Sequence, residues 1–432
     1  MRSRSRRLVG VFLLLVWPVE MIGLVAPSDA SRIGGTVSVL GVWGGSELAS
    51  FQAMVKPFEG QTGIHVQYEG TRDLSAVLTA RVQGQHPPDV AELPNPGQMK
   101  QLIRSSALKP LTHVLDMDSV KREYAPTWLE LGSFDGTLYG VFVKTALKGL
   151  IWYDPKVFAA NHYALPLTWT DLLALTRRIA SHGKTPWCIG LASGAATGWP
   201  ATDWIEILLL KAAGPKTYAD WYEHRISWDS PAVRIAWQQF GKIASNPAYV
   251  YGGTQGELTT NFNEAPFPLF TQPPSCYLHL QATFIQAFIA NQYPSLRPGA
   301  DVNFFAFPMI ARQFAGSIEV AGDVFGMFRD TPQARALLRY VITARAQAIW
   351  VNRGGALSPN KDVALRNYPD LLSRRAAQML VGARAAEFDA SDLMPPAVTD
   401  AFYKGTLGYV QHPGDLDAIL RRLEQVARDA YK

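Results

Sequence analysis

The sequence predicts an α/β fold with a parallel sheet, and three observations lead to this prediction. The chain has 432 residues, which exceeds one ordinary core and suggests about two domains. Its first part alternates short apolar runs with stretches of helical periodicity, the pattern of parallel strands covered by helices. A tryptophan in a loop rich in small residues follows a predicted strand twice, at Trp43 and Trp199.

The spacing of apolar residues defines the first elements. Leu48, Phe51, Met54, Val55 and Phe58 recur at helical spacing, whereas the shorter runs around them are typical of strands. In order, the predicted elements are strand 36–42, helix 47–59, strand 64–68, helix 74–82, strand 89–93 and helix 97–104. Ligands bind at the carboxyl ends of such strands, so the candidate binding loops are 41–47, 69–73 and 93–96.

The remaining elements follow the same periodicities. Two extended segments, 138–143 and 149–153, flank Lys144-Thr145. Residues 265–272 predict a strand, and 317–328 are expected to form a loop. The other predicted elements are strands 187–191 and 302–307 and helices 170–180, 203–210, 231–244, 284–292, 333–352, 363–386 and 415–431.

The N-terminal residues 1–30 have the features of a cleaved secretory signal. A basic segment precedes an apolar run, Leu8 to Trp17, and Ser28-Asp29-Ala30 supplies small residues for cleavage. The alternative is an uncleaved anchor, but this run is too short to span a bilayer. No cysteine lies near the cleavage site, so we expect a protein of the periplasm and not a lipoprotein.

The net charge limits the classes of partner that the protein could bind, and the cysteine content predicts a covalent link. The formal net charge is +5, and four arginines against two acidic residues in the first 30 positions leave +3 on the rest. No basic stripe remains for nucleic acid. The two cysteines, Cys188 and Cys276, predict a disulfide in an exported protein, the alternative being two unrelated buried thiols.

Catalytic motifs are absent from the sequence. It contains no P-loop, no G-x-S-x-G, no H-E-x-x-H and no histidine spacing typical of a metal site. We therefore expect a binding protein without cofactor or metal, not an enzyme. Loop carboxylates leave a glycan-acting enzyme as an alternative. Aromatic faces beside carboxylates and amides suit a carbohydrate ligand.

Several stretches resemble the extracellular solute-binding proteins of bacterial ABC transporters, the carbohydrate group that includes maltose-binding protein. They are GVWGGSELASFQAMVKPFEGQTGIHVQYEGTRD, PPDVAELPNPGQM, VKTALKGLIWYDPKVF and DLMPPAVTDAFYKGTLGYV. The stretches WCIGLASGAATGWPATDWIE and PPSCYLHLQATF are similar to the α-glucoside-binding subset. Together the similarity covers nearly all of the chain from Gly35 to the C-terminus.

The resemblance implies a two-lobed, maltose-binding-protein-like (type II periplasmic-binding-protein) α/β fold with the ligand in a cleft between the lobes. Lobe one would comprise 31–145 plus 300–362, and lobe two 146–299 plus 363–432, with Lys144-Thr145 at the first hinge. It also implies a monomer that delivers a short oligosaccharide or glucoside to permease subunits powered by a separate ATPase. A polyamine or another non-sugar solute is the alternative ligand.

The predicted ligand-binding residues lie mostly in loops at strand ends. Several have a structural alternative: Trp43 could cap the sheet from within the core, Glu47 could interact with a helix dipole, and Asn95 could only shape a turn. Whether Phe402 or Tyr403 faces the cleft is open, as is the role of His279. The predicted set is Trp43, Glu47, Arg72, Asp73, Asn95, Lys144, Thr145, Trp199, Asp323, Arg353 and Tyr403.

Overall fold

A computed structural model describes residues 33–432; the predicted signal peptide lies outside the described residues. The strands are β1 (Thr36–Gly41), β2 (His65–Gly70), β3 (Val90–Leu93), β4 (Ser133–Phe134), β5 (Thr137–Leu138), β6 (Gly140–Leu147), β7 (Leu150–Tyr153), β8 (His279–Gln281), β9 (Asn303–Ala306), β10 (Ser317–Met327) and β11 (Ala385–Phe388). The helices are α1 (Gly45–Thr62), α2 (Leu74–Gln83), α3 (Pro96–Arg104), α4 (Met117–Glu123), α5 (Pro126–Leu131), α6 (Pro155–Ala160), α7 (Trp169–Ser181), α8 (Trp199–Tyr222), α9 (Pro231–Ala244), α10 (Gly253–Thr259), α11 (Ile285–Gln292), α12 (Pro332–Val341), α13 (Ala344–Val351), α14 (Leu371–Gly382), α15 (Ala390–Leu393), α16 (Pro396–Gln411) and α17 (Leu416–Ala430).

The main sheet confirms the predicted parallel arrangement. Strand β1 pairs in parallel with both β2 and β3, so the loops after these strands meet at one edge. Strand β10 runs antiparallel to β3 and β6 and parallel to β11. A smaller antiparallel sheet has β7 between β8 and β9.

Two hydrophobic cores organise the described residues. The first surrounds the main sheet and includes Phe51 and Phe325. The second lies around α8, α9 and α16 and includes Trp204 and Phe402. The chain passes from β6 in the main sheet to β7 in the smaller one through Lys148-Gly149. The predicted lobe boundaries stay a prediction.

Strand β10 occupies the segment predicted to be a loop. Its glycines and acidic residues have low strand propensity, but nearly every side chain in it is buried between neighbouring elements. A Cβ added at Gly322 would lie 2.8 Å from the Phe142 ring, so the close neighbour explains this glycine. Tertiary packing therefore overrides the local pattern here.

Several other boundaries differ from the predictions. No strand forms at 265–272, where a 3-10 turn covers Phe267–Phe270 and two prolines remove backbone donors. Residues 187–191 make only isolated bridges, at Trp187. Helix 363–386 shortens to α14, capped by Asp370, and helix 333–352 divides into α12 and α13. These differences leave the arrangement of the sheets unchanged.

The predicted disulfide is present between Cys188 and Cys276, whose Cα atoms lie 5.6 Å apart. It links the segment after α7 to the segment before β8. Within residues 33–432, no helix combines the length and hydropathy needed to cross a bilayer.

Candidate functional site

A cavity of about 600 Å³ lies between the two cores, with Trp43 of the first core and Met394 of the second both in its wall. Its volume lies within the range of small-molecule sites. Loops after β1, β2 and β3 line one side, as expected for parallel strands. The start of α8 and the segment around α15 and α16 line the other. The middle of β10 and the end of β6 complete the wall.

Lys144 on β6 forms the centre of the first charged group. Its ammonium donates to Glu47 and lies 3.0 Å from Asp323 Oδ2. Burial alone would lower the pKa of Lys144, but the negative charges of Asp323 and Glu47 outweigh burial and raise it. The ammonium and its two carboxyl partners are therefore held in position before a ligand arrives.

Trp43 is only 2% exposed, although it borders the cavity. Its indole N–H donates to Asp323 Oδ2 over 3.0 Å, and its backbone N–H donates to the Tyr68 hydroxyl over 2.8 Å. The Tyr68 ring stacks on it at a centroid distance of 6.0 Å, and the Trp350 ring contacts it edge-on at 4.6 Å. Trp43 therefore combines the expected cavity position with the alternative core role.

A buried carboxyl lies behind Trp43. Glu92 on β3 is fully buried, and its Oε2 accepts from the Val42 backbone N–H over 2.6 Å. Burial, reinforced by the charge of Asp323, raises the pKa of Glu92 well above its ordinary value. Glu92 therefore holds the loop that contains Trp43 in place through this hydrogen bond.

Lys148 forms the centre of the second charged group. Its ammonium donates to Asp203 Oδ1 over 2.8 Å and to Asp389, and it lies 5.4 Å from the centre of the Trp199 ring. Burial would lower the pKa of Lys148, but Asp203 and Asp389 outweigh it and raise the pKa. Helix α8 begins at Trp199, so Asp203 lies inside the helix and is not its N-cap.

Aromatic rings line the cavity between these charged groups. Trp199 and Phe284 are half-buried, and their ring centres lie 6.0 Å apart. Phe262 carries the Arg72 guanidinium over its face at 4.8 Å. Tyr403 on α16 faces the cavity, whereas Phe402 is fully buried in the second core. This placement answers the question left open between the two aromatic residues.

Nine of the eleven predicted ligand-binding residues line the cavity: Trp43, Glu47, Arg72, Asp73, Asn95, Lys144, Trp199, Asp323 and Tyr403. Thr145 and Arg353 do not. Side chains alternate along a strand, so Thr145 points away from Lys144's side and donates to the Leu357 carbonyl. Arg353 follows the end of α13, is exposed, and donates to Ser50 Oγ.

Several cavity residues were absent from the predicted set, among them Lys148, Asp389, Asp392 and Phe284. Lys148 could have been found, because it lies four positions after Lys144 in an extended segment and so falls on the same face. No local pattern marks Asp389 or Asp392, which reach the cavity only through the packing of α15. His279 lies outside the cavity wall, and its Nδ1 is 2.8 Å from the Cys188 carbonyl.

Comparisons with known proteins agree with this geometry. Residues 44–348 match the family described as Bacterial extracellular solute-binding protein. The chain belongs to that family. Solute-binding proteins of this kind are the binding components of ABC transporters and are not enzymes. The chain is therefore such a binding component, and it acts outside the cytoplasm.

Two curated relatives cover most of the solute-binding protein. The osmoprotective compounds-binding protein GgtB of Synechocystis sp. is 41% identical over 87% of this chain and 88% of its own length. The alpha-glucosides-binding periplasmic protein AglE of Rhizobium meliloti is 35% identical over 87% and 84%. A solved chitin oligosaccharide binding protein has a TM-score of 0.80 at 18% identity, covering 92% of this chain and 99% of that chain. The predicted type II fold is confirmed.

Proposed function

We propose that this solute-binding protein holds a short α-glucoside in the cavity and delivers it to the permease of an ABC importer. The observation that carries the proposal is the cavity wall, where half-buried aromatic rings stand between two lysines already neutralised by carboxylates. The relative AglE, named for alpha-glucosides, supports the sugar class. GgtB, named for osmoprotective compounds, supports a small solute.

The chemistry of the wall suits a sugar. Aromatic faces contact the apolar C–H faces of a pyranose, and ionised carboxylates accept from its hydroxyls. We assign the faces to Trp199, Phe284 and Tyr403, because Trp43 is almost wholly buried. The hydroxyl partners are taken from the polar residues of the wall: Glu47, Arg72, Asp73, Asn95, Asp323, Lys144 and Lys148.

A polyamine fits this wall less well than a sugar. Its ammonium groups would approach Lys144 and Lys148, whose positive charges already hold the four nearest carboxylates. We further propose that the protein is a monomer of the periplasm whose two lobes close on the ligand, since a ligand that binds one conformation better shifts the population towards it.

Thermal unfolding of the purified protein with maltose, trehalose, sucrose, a xyloside and spermidine tests the proposal. A sugar that binds only the folded protein should stabilise it by about 2.7 kcal/mol at a hundredfold excess over Kd. A shift with α-glucosides and none with spermidine, in samples that retain the intact sugar, supports the proposal. Shifts with spermidine alone, or sugar cleavage, would reject it.

A further inference from the structure

A buried group of ionisable side chains lies beneath the cavity and is larger than ligand contact requires. Around the Lys148 ammonium stand carboxyls from α8, β10 and α15. Oxygens of Asp203, Glu319 and Asp389 all lie within 4.8 Å of one another, and all three residues are buried. The ionisable groups around Lys148 are Asp203 and Glu206 on α8, Glu319 on β10, Asp389 and Asp392 at α15, and Tyr403 on α16, and Tyr218 on α8 joins them through its hydrogen bond to Glu206. We call this set the Lys148 cluster.

The carboxyls of the Lys148 cluster differ in how well they are hydrogen-bonded. Asp389 accepts from Lys148, from Ser391 Oγ over 2.7 Å and from the Asp392 backbone N–H over 3.1 Å. These donors favour its charged form and lower its pKa despite burial, which alone would raise it. Asp389 therefore stays ionised.

Glu319 stands at the other extreme, whereas Glu206 accepts from the Tyr218 hydroxyl and the Ala390 backbone N–H. Neither oxygen of Glu319 has a hydrogen-bond partner among the described residues, and burial raises its pKa well above the ordinary value. Burial and the charge of Asp389 raise the pKa of Glu206 as well. Burial therefore favours the neutral form of both carboxyls.

Asp203 is intermediate between these two cases. It accepts one side-chain hydrogen bond among the described residues, from Lys148 over 2.8 Å. Burial, only partly offset by the charge of Lys148, raises its pKa to about 7. Burial and the charge of Asp389 raise the pKa of Asp392 too, which favours its neutral form. With Glu206, Glu319 and Asp392 neutral, the ionised Asp203 and Asp389 face the single Lys148 ammonium and leave one surplus negative charge.

We propose that the Lys148 cluster is a proton-binding site coupled to the cavity, and that solute binding is accompanied by the transfer of one proton from solvent to Asp203. Lys148 and Asp389 line the cavity wall, so a bound solute replaces the water that screens them. Excluding water penalises a surplus charge, and protonation of the Asp203 carboxylate removes that surplus. A metal ion is not needed there, because the Lys148 ammonium already lies between the carboxylates.

Coupling makes solute affinity depend on pH. Because the proton and the solute favour each other, affinity should rise as pH falls from 8 to 6, by at most about tenfold per pH unit for one proton. Below that range Asp203 is already protonated in the ligand-free protein, so the uptake disappears.

The inference rests on the proposed function, and calorimetry can separate the two. Maltose, trehalose and sucrose are titrated into the protein at pH 7.5 in phosphate and in Tris, whose ionisation enthalpies differ. The difference in binding heat between the two buffers gives the number of protons that are exchanged when the sugar binds. Asp203→Asn should abolish the uptake. Glu257→Gln is the matched control and should leave the uptake unchanged. Glu257 is a buried glutamate outside the cavity wall, and neither of its oxygens has a hydrogen-bond partner within residues 33–432.

Uptake in the native protein and in Glu257→Gln, with none in Asp203→Asn, supports the inference. Binding without exchange, binding with proton release, or equal uptake in Asp203→Asn overturns it and leaves the proposed function intact. If Asp203→Asn does not fold, the inference is decided by the native protein alone, from the difference in its binding heat between the two buffers. If no sugar binds, the proposed function fails. Infrared titration of the ligand-free protein between pH 6 and 8 then decides the inference: an aspartic carboxyl band lost in Asp203→Asn supports it, and no such band overturns it.

Discussion

Trp43 and Trp199 border the same cavity, but their surroundings give them different roles. Trp43 is packed by Phe51, Tyr68 and Trp350, and its N–H donates to Asp323. Trp199 is half-buried and keeps part of its ring open to the cavity. Stability should therefore depend mainly on the first ring, and affinity on the second.

Substituting alanine for each tryptophan separates these roles. Trp43→Ala should lower the free energy of unfolding by about 3–5 kcal/mol, the usual cost of removing a buried Trp ring. Trp199→Ala should cost much less stability but lower sugar affinity by about 5–30-fold, equivalent to about 1–2 kcal/mol. Urea unfolding and calorimetry measure the two quantities. Unchanged affinity in both variants would contradict the site assignment.

At the residue scale the sequence located much of the site. Trp43, Asp73 and Asn95 follow three consecutive strands of a parallel sheet, so their proximity follows from topology. Asp389 could not be found in this way, because only the packing of α15 against α3 and α8 places it at the cavity. Local patterns contain no such long-range information.

The start of α8 depends on one glycine. Gly198 has φ +113°, a conformation that L side chains rarely adopt, and an added Cβ would lie 2.6 Å from the Tyr403 carbonyl oxygen. The close approach fixes the first turn of α8, with Trp199, against α16, with Tyr403. The positions of Trp199 and Tyr403 in the cavity wall therefore both depend on this contact.

Gly198→Ala should lower both stability and affinity. The strained backbone should cost about 1–3 kcal/mol in the free energy of unfolding, and displacement of Trp199 and Tyr403 should weaken sugar binding. Gly60→Ala is the control, because Gly60 is exposed in α1 with no atom near its Cβ position. It should gain up to about 1 kcal/mol. Equal behaviour of the two variants would disprove the argument.

At the element scale, the sequence predicted the order β1 to α3 because each element has its own apolar period. It failed at β10, the strand that joins β3, β6 and β11. Its inward acidic residues, Glu319 and Asp323, interact with charged groups that come from distant segments. A polar residue buried by tertiary contacts is indistinguishable from a loop residue in the sequence alone.

Glu424 attaches helix α17 to the segment after α8, because it accepts from the Trp228 backbone N–H and from His224. Arg428, one turn further along α17, donates to it as well. Burial would raise its pKa, but these donors outweigh it and lower the pKa to about 2. A depressed folded-state pKa adds stability above the unfolded value near 4.3, and this stability is lost as pH falls towards about 2.

Glu424→Gln should therefore lower the free energy of unfolding at pH 7 by about 1.5–3 kcal/mol, the usual worth of hydrogen bonds to a charged group. The difference from the native protein should shrink between pH 4.5 and 2. Urea titrations at several pH values measure it. If the difference in the free energy of unfolding stayed constant across this range, packing of the Glu424 side chain and not its charge would hold α17 in place.

At the scale of the molecule, the cavity exists because the chain crosses between two cores. Lys148 and Asp389 each stand next to such a crossing, where β6 leads to β7 and β11 leads to α15. Their ion pair therefore joins two connecting segments and lines the cavity at the same time. Composition and motif content indicated a binding protein. That the same two residues stand at the crossings and in the cavity wall became visible only in the three-dimensional structure.

The disulfide is expected to act on the whole molecule through the unfolded state. Cys188 and Cys276 are separated by 88 positions, so the bridge closes a long loop in the unfolded chain. In the chain-entropy description such a closure adds about 4–5 kcal/mol to the free energy of unfolding. The double substitution Cys188→Ser, Cys276→Ser should lose most of this amount in urea unfolding and become insensitive to reductant. Adding reductant should lower the native protein to the stability of the variant. Equal stability of the oxidised protein and the variant would show that the second core, and not the bridge, orders this segment.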